Sequence, residues 1–255
     1  MKILTYVTAK LIENQQLTST ISKLTFKLER IIKPSLPGNY VMVWLPSIKE
    51  APFSIYDHEG TKLSLIIEAV GPLTKKLVKL EHGAKVGIRG PYGNAFTLRP
   101  NLSYMLVAGG SGVPPILFAL RKLKPIAKNI TYLIGARTKD ELFLIDEARI
   151  NNAEVYVSTD DGSYGFKGFV TELADNILNK RKFDIILSCG PEPMIKSLYD
   201  IALKYDIIFE ASMSRIIKCA LGFCGSCLLE PKGYRVCADG PVFNKDQLGG
   251  IQWLI

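Results

Sequence analysis

Four of the five cysteines fall in one stretch near the end of the chain, Lys218-Cys-Ala-Leu-Gly-Phe-Cys-Gly-Ser-Cys227, closed by Cys237 in Tyr-Arg-Val-Cys-Ala-Asp. Cys219, Cys224, Cys227 and Cys237 are thus spaced C-x4-C-x2-C-x9-C, the plant-type pattern in which four thiolates hold the two irons of a [2Fe-2S] cluster. Gly222 and Gly225 lie between them, where the backbone must bend sharply and turn N–H groups toward sulfur. Four thiolates also suit a tetrahedral structural zinc. Zinc motifs, however, usually come as two separate C-x2-C knuckles, whereas three of these cysteines share one tight loop. The spacing favours the cluster, which moves single electrons and therefore needs a source and an acceptor.

Other stretches offer nucleotide chemistry. Tyr104-Met-Leu-Val-Ala108 reads as a buried strand running into Gly109-Gly-Ser-Gly112, two prolines and an apolar helix over 116–123. Strand, glycine loop and helix let a diphosphate approach the backbone at a helix N-terminus, although the motif is not a strict G-x-G-x-x-G and also describes a tight turn. Cys189 precedes Gly190 and Pro191 at another strand end. Free cysteine is often just a small buried residue, but this placement favours a site position. Earlier, Ala51-Pro-Phe-Ser-Ile-Tyr56 carries a single hydroxyl, Ser54, and Gly71-Pro-Leu-Thr74 opens a helix whose N–H groups can face a phosphate. Each is weak alone, because a strand serine is usually a satisfied hydroxyl and Gly-Pro usually marks a turn.

The elements that must position these residues change character near residue 100. Up to there the chain predicts short strands over 2–8, 24–28, 40–45, 53–56, 63–69 and 85–89, with one helix over 73–80; such a run suggests an antiparallel barrel. After it, strands at 104–108, 130–134, 154–158 and 183–187 alternate with helices at 116–123, 139–149, 167–178 and 191–204, before a last strand at 207–211. That alternation predicts a parallel sheet with helices on both faces and ligands at the C-terminal strand ends. The fold class expected is multidomain α+β: a barrel over 1–100, an α/β nucleotide-binding domain over 101–211 and a small cluster domain over 212–255.

The composition is that of a globular protein, with 47% hydrophobic and 22% charged residues. The N-terminus lacks the apolar core and cleavage site of a signal peptide, and no apolar stretch is long enough to span a bilayer. Clustered thiols without an export signal predict a reducing cytoplasm. The net charge of +8 comes from scattered Lys and Arg, which suits phosphate-bearing cofactors and predicts neither a nucleic-acid nor a membrane partner.

Barrel, nucleotide sheet and plant-type cluster, in that order, resemble the ferredoxin–NADP reductase superfamily and, within it, the electron-transfer subunits of NAD-dependent dihydroorotate dehydrogenases. The resemblance covers nearly the whole chain. It rests on Pro37-Gly-Asn-Tyr-Val-Met-Val-Trp44, Ala51-Pro-Phe-Ser-Ile55, Gly71-Pro-Leu-Thr74, Gly90-Pro-Tyr-Gly-Asn94 and Val107-Ala-Gly-Gly-Ser-Gly-Val-Pro-Pro115. It continues in Gly135-Ala-Arg-Thr138, Thr159-Asp-Asp-Gly-Ser163, Cys189-Gly-Pro-Glu-Pro-Met194 and the four-cysteine loop. The resemblance implies FAD on the barrel, held by Ala51, Pro52, Phe53, Ser54, Ile67, Gly71, Pro72, Leu73 and Thr74. It implies NAD(H) at Gly109, Gly110, Gly112, Arg137, Asp160, Cys189 and Gly190, with Cys189 beside the nicotinamide. Hydride would pass between nicotinamide and flavin, and single electrons through the cluster to an FMN-containing dihydroorotate dehydrogenase catalytic subunit in a two-plus-two heterotetramer.

Two positions depart from the family pattern. Ala51 stands where an arginine usually precedes the proline of the flavin strand, so a bidentate phosphate clamp is missing there; Lys49, Lys75 or the helix after Gly71 are the available substitutes. Ala220 follows the first cluster cysteine where glycine is common, which matters only if the backbone there has positive φ. The rival assignments are a flavin subunit of a hydrogenase, a sulfide dehydrogenase or a ferredoxin–NADP transhydrogenase and, in a different class, a non-catalytic scaffold built on a structural zinc.

Overall fold

The computed structural model describes residues 5–151 and 153–254, so the strand expected at 2–8 lies partly outside the described residues. Strands β1 (Val7–Gln16), β2 (Ile21–Leu28), β3 (Tyr40–Leu45), β4 (Lys49–Glu59), β5 (Lys62–Glu68) and β6 (Lys85–Tyr92) close into a barrel in the order β1-β2-β5-β4-β3-β6. Alternation builds it: Val7, Ala9 and Leu11 on β1, Leu24, Phe26 and Leu28 on β2, and Leu63, Leu65 and Ile67 on β5 point into one core. Closure removes the sheet edges. The helix α1 (Pro72–Leu77) lays Leu73 and Leu77 against the same core.

Residues 103–212 form the second unit. Strands β7 (Ser103–Gly109), β8 (Asn129–Ala136), β9 (Glu154–Thr159), β10 (Phe166–Lys167), β11 (Ile185–Cys189) and β12 (Ile208–Ser212) make a parallel sheet in the order β10-β9-β8-β7-β11-β12. Helices α2 (Val113–Leu123) and α3 (Ile145–Ile150) pack into one core; α4 (Val170–Leu178) and α5 (Glu192–Lys204) pack into the other. Pro114 and Pro115 stand in the first turn of α2, where their missing N–H groups cost nothing.

The structure corrects the helix expected over 139–149. Lys139–Glu141 is a single 3₁₀ turn, and α3 begins only at Ile145, after Leu144 in left-handed backbone. Between them Phe143 is buried, and extending the chain at Leu142 to seat that ring interrupts the helix.

The last stretch holds the hairpin β13 (Leu228–Leu229) and β14 (Tyr234–Arg235), then β15 (Val242–Asn244) and α6 (Lys245–Leu248). Strand β15 pairs antiparallel with β12, so the nucleotide sheet takes its seventh strand from beyond residue 211. The Gly90-Pro-Tyr-Gly-Asn94 turn docks onto this return. Asn94 donates through its side-chain amide to the Val242 carbonyl at 2.7 Å and accepts from the Val242 N–H at 2.9 Å. Gly93 has φ +79°, and a Cβ there would stand 2.4 Å from Pro241, so only glycine fits. Among the described residues, no helix is long and apolar enough to cross a membrane.

Candidate functional site

The four cysteines form two unlike pairs. The Cys219 and Cys224 thiols interact with each other on the outer side, where Cys219 is partly and Cys224 fully exposed. Cys227 and Cys237 interact on the inner side, 2% and 3% exposed. Desolvation raises the Cys219 thiol, but the N–H groups of Leu221, Cys224 and Phe223 outweigh it and bring it down to about 6. Ser226 lowers Cys224 in the same way. Burial and the neighbouring Cys227 instead push Cys237 up to about 12.

Two pairs are what a binuclear cluster asks for, since each iron takes two thiolates, whereas one tetrahedral zinc asks all four to converge. The donor set fits the cluster. Ala220 has φ +59° and is buried, so the substitution of glycine by alanine falls on a backbone conformation that disfavours any Cβ, by about 1–2 kcal/mol.

On the barrel, Ala51, Pro52, Phe53 and Ser54 are all partly exposed on β4. Alternation turns Ala51 and Phe53 toward the barrel core and leaves Pro52 and Ser54 on the outer face of the strip beside β3, with Tyr40 opposite Ser54 in the register. The Gly71–Thr74 turn is built by the Thr74 hydroxyl, which accepts from the N–H groups of Val70 and Gly71 at 3.0 and 2.9 Å and donates to the Gly71 carbonyl at 3.1 Å. That hydroxyl is occupied, so a phosphate here meets the free first-turn N–H groups of Leu73 and Thr74. Ile67 and Leu73, each 1% exposed, turn their side chains into the barrel core; Leu73 offers a ligand its backbone N–H. The Ile67 N–H and C=O face Ser22 on β2, so the open backbone is that of its neighbours on β5, whose edge is free beyond Leu65, where pairing with β4 stops. Pro72 is exposed. The arginine missing at 51 is not replaced by Arg89, whose guanidinium is taken by Glu50 at 2.5 and 2.6 Å.

The nucleotide residues meet at the C-terminal ends of the strands. Cys189 pairs with Ala108 beside Gly109. A Cβ on Gly112 would sit 1.9 Å from the Cys189 carbonyl oxygen, so the glycine loop closes directly on the Cys189–Gly190 turn. Gly110, by contrast, faces open space. Desolvation pushes the Cys189 thiol up to about 12, which leaves it a neutral thiol at neutral pH. Arg137 and Asp160 stand at the neighbouring strand ends, Arg137 largely exposed and ion-paired to Glu141. Burial and then Glu141 raise Asp160.

Sequence reasoning passed over the residues that join these regions. The Tyr40 hydroxyl donates to the Cys237 carbonyl at 3.1 Å, and Arg89 Nη1 donates to the Cys219 carbonyl at 3.1 Å. Behind Ser54, the Arg121 guanidinium lies 4.4 Å from the centre of the Tyr56 ring, and Glu147 takes both the Tyr56 hydroxyl and Arg121. The Arg89 position beside Gly-Pro and the tyrosine inside an apolar strand were the available signals.

Barrel, parallel nucleotide sheet and four-cysteine lobe define a flavin reductase fold with an iron–sulfur appendage. Comparison with known proteins agrees. Residues 214–249 match the iron-sulfur cluster binding domain of dihydroorotate dehydrogenase B, and residues 106–200 the oxidoreductase NAD-binding domain. The chain is 42% identical, over 85% of its length and 82% of the relative's, to a probable dihydroorotate dehydrogenase B (NAD(+)) electron transfer subunit of Methanocaldococcus jannaschii. A relative of the same name from Methanopyrus kandleri is 35% identical over 97% and 93%. Among solved structures, that of an NADH-dependent reduced ferredoxin-NADP oxidoreductase superposes with a TM-score of 0.86 at 27% identity, covering 96% and 90% of the two chains. The chain belongs to the family of dihydroorotate dehydrogenase B electron transfer subunits. It is an oxidoreductase of that electron-transfer kind, with FAD, an iron–sulfur cluster and NAD(H) as its cofactor set.

Proposed function

We propose that the chain passes electrons between NAD(H) and an FMN-containing dihydroorotate dehydrogenase catalytic subunit, as half of a cytoplasmic two-plus-two heterotetramer serving pyrimidine biosynthesis. Labour divides over 1–100 for FAD, 101–211 for NAD(H) and 212–255 for the cluster. The flavin is needed because it takes two electrons as hydride and releases them one at a time.

The chain's own residues bind and orient. The strip from Ala51 to Ser54 receives the flavin ring, and the free N–H groups of Leu73 and Thr74, with the free β5 edge flanking Ile67, receive its phosphates. Gly109, Gly110, Gly112 and the Cys189–Gly190 turn hold the nicotinamide end. Arg137 and Asp160 meet the nucleotide farther out, and the solvent-screened ion pair of Arg137 with Glu141 is readily exchanged for a ligand phosphate. A neutral Cys189 thiol packs and excludes water; it takes no proton. The four cysteines hold the cluster, Cys219 with Cys224 on one iron and Cys227 with Cys237 on the other.

The observation that carries this reading is the placement of Tyr40. It faces Ser54 across the β3–β4 register and touches the Cys237 carbonyl, so one residue spans the flavin strip and the inner cysteine pair. Among the described residues, the flavin strip and the glycine loop beside Cys189 present no base for dihydroorotate, whose oxidation needs one. The purified chain should therefore reduce artificial acceptors with NADH yet form no orotate until the FMN partner is added. Orotate produced by the chain alone would refute the subunit reading.

The likeness to the ferredoxin-NADP oxidoreductase structure favours a second reading, in which the chain is the flavin subunit of a ferredoxin–NADP transhydrogenase. The protein that copurifies decides between them.

A further inference from the structure

The barrel reaches the cysteine lobe with two side-chain donors, and each lands on a different cysteine pair. Arg89 is 5% exposed and holds Glu50 through Nε and Nη2, which leaves Nη1 for the Cys219 carbonyl at 3.1 Å and the Tyr92 hydroxyl at 3.2 Å. Tyr6 donates to the same Glu50 carboxylate at 2.8 Å, fixing the ion pair from its far side. Tyr40 is 3% exposed and donates to the Cys237 carbonyl at 3.1 Å. The two donors are braced on each other, for the Tyr92 ring lies 5.9 Å from the Tyr40 ring and 5.4 Å from the Arg89 guanidinium.

We propose that Arg89 and Tyr40 are positioning residues that clamp the two halves of the cluster site to the barrel, setting its electronic asymmetry and its register with the flavin strip. The inference rests on the cluster reading above.

The physical reasons are three. A carbonyl that belongs to a ligand cysteine is one bond from that residue's Cα, so a donor fixing the carbonyl restrains the backbone from which the sulfur reaches the cluster. Hydrogen bonds and charge around a cluster set its reduction potential, and donors that offset negative charge favour the reduced form. The arginine remains charged in any protein setting, and its Glu50 partner neutralises it, so Arg89 acts mainly as a fixed donor. Tyr40 acts as the inner counterpart, and because it faces Ser54 in the register, loosening there changes the distance between flavin strip and cluster rather than the flavin strip itself.

The test uses the full chain loaded with FAD and cluster, in three variants. Tyr40→Phe removes only the inner donor, Arg89→Lys keeps the charge but loses the fork, and Tyr205→Phe deletes a remote hydroxyl bonded to Asn179 as a control. Iron and sulfide content, the electron paramagnetic resonance line shape of the reduced protein, the cluster midpoint potential and the stopped-flow rates of NADH-to-flavin and flavin-to-cluster transfer are measured for each.

The clamp predicts that Tyr40→Phe keeps its iron but shows an altered line shape, a lower potential and flavin-to-cluster transfer slowed about fivefold, roughly one ordinary hydrogen bond, with NADH-to-flavin transfer unchanged. Arg89→Lys should change the line shape in a distinguishable way, because it acts on the other pair, and Tyr205→Phe should match the parent. Parental line shape and potential in iron-replete Tyr40→Phe and Arg89→Lys would overturn the clamp. So would equal slowing of both transfer steps, which would mean a general structural defect. A parent protein without iron and sulfide would instead refute the cluster assignment itself.

Discussion

The two cysteine pairs are the same residue type set in opposite surroundings, and the contrast shows how one loop serves two needs. The outer pair lies beside Phe223, which is 85% exposed, and backbone N–H groups draw its thiols toward the charged form. The inner pair is buried in the core shared with β12, β15 and the hairpin, and burial holds Cys237 protonated until a metal replaces the proton. An exposed pair with ready thiolates suits exchange with whatever docks there, while a buried pair is fixed to the flavin strip. The outer thiols are tuned by the N–H groups of their own loop, and Cys237 by burial in the rest of the fold.

The largest break in that contrast comes from removing a buried ligand. Cys227→Ser or Cys237→Ser should abolish the visible iron–sulfur bands and the paramagnetic signal, since serine there neither ligates as well nor repacks. Cys224→Ser, at an exposed position, should keep a weakened and altered signal. A Cys237→Ser protein with its signal at full strength would remove Cys237 from the ligand set.

Next in size is the titration of the cluster-free chain. Only the thiolate reacts with alkylating agents, so Cys219 should be modified with a midpoint near pH 6 and Cys237 should resist well above neutrality. The linkage follows in opposite senses. Cys219, lower in the fold than its ordinary 9.0, stabilises the cluster-free chain above that value, and the contribution fades as pH falls toward about 6. Cys237, raised, costs stability as pH rises past 9.0. Peptide mass mapping across pH reads both thiols in one sample, and equal profiles would erase the distinction.

The smallest test is at Ala220. Relief of left-handed backbone by Ala220→Gly returns about 1–2 kcal/mol. The lost buried methyl and the added chain entropy of glycine take back a similar amount, about 0.8 and 0.5–1 kcal/mol. The net change in denaturant unfolding should be within about 0.5 kcal/mol. Ala220→Val adds a β-branched side chain to the same strained backbone and should cost about 2 kcal/mol. An Ala220→Val protein as stable as the parent would mean that this backbone is not left-handed.

Local chemistry was readable in the sequence, and chemistry across the seam was not. The cysteine spacing, the Gly71–Thr74 turn and the glycine loop after β7 are each written in a few adjacent residues. The succession of short strands before residue 100 gave the barrel. Tyr40 and Arg89 stayed hidden because their partners lie 197 and 130 residues away, and nothing local marks a donor for a distant carbonyl. Strand β15 is three residues long and exists only by pairing with β12. The broken helix before Ile145 turns on burial of Phe143, a tertiary demand that periodicity does not carry. The sequence also flagged Ala220, and the fold supplied the positive φ that makes the flag matter.

The central claim is that one chain joins a nicotinamide-reactive flavin to a two-iron cluster held by two unlike cysteine pairs. An anaerobic titration of the purified chain with NADH tests it most directly, followed by absorbance and by paramagnetic resonance together with flavin, iron and sulfide analysis. The account predicts one FAD, two irons and two sulfides per chain, with NADH bleaching the flavin and raising the signal of a reduced [2Fe-2S] centre. A colourless protein holding a single zinc, or a flavin that NADH reduces while the cluster stays oxidised, would contradict it.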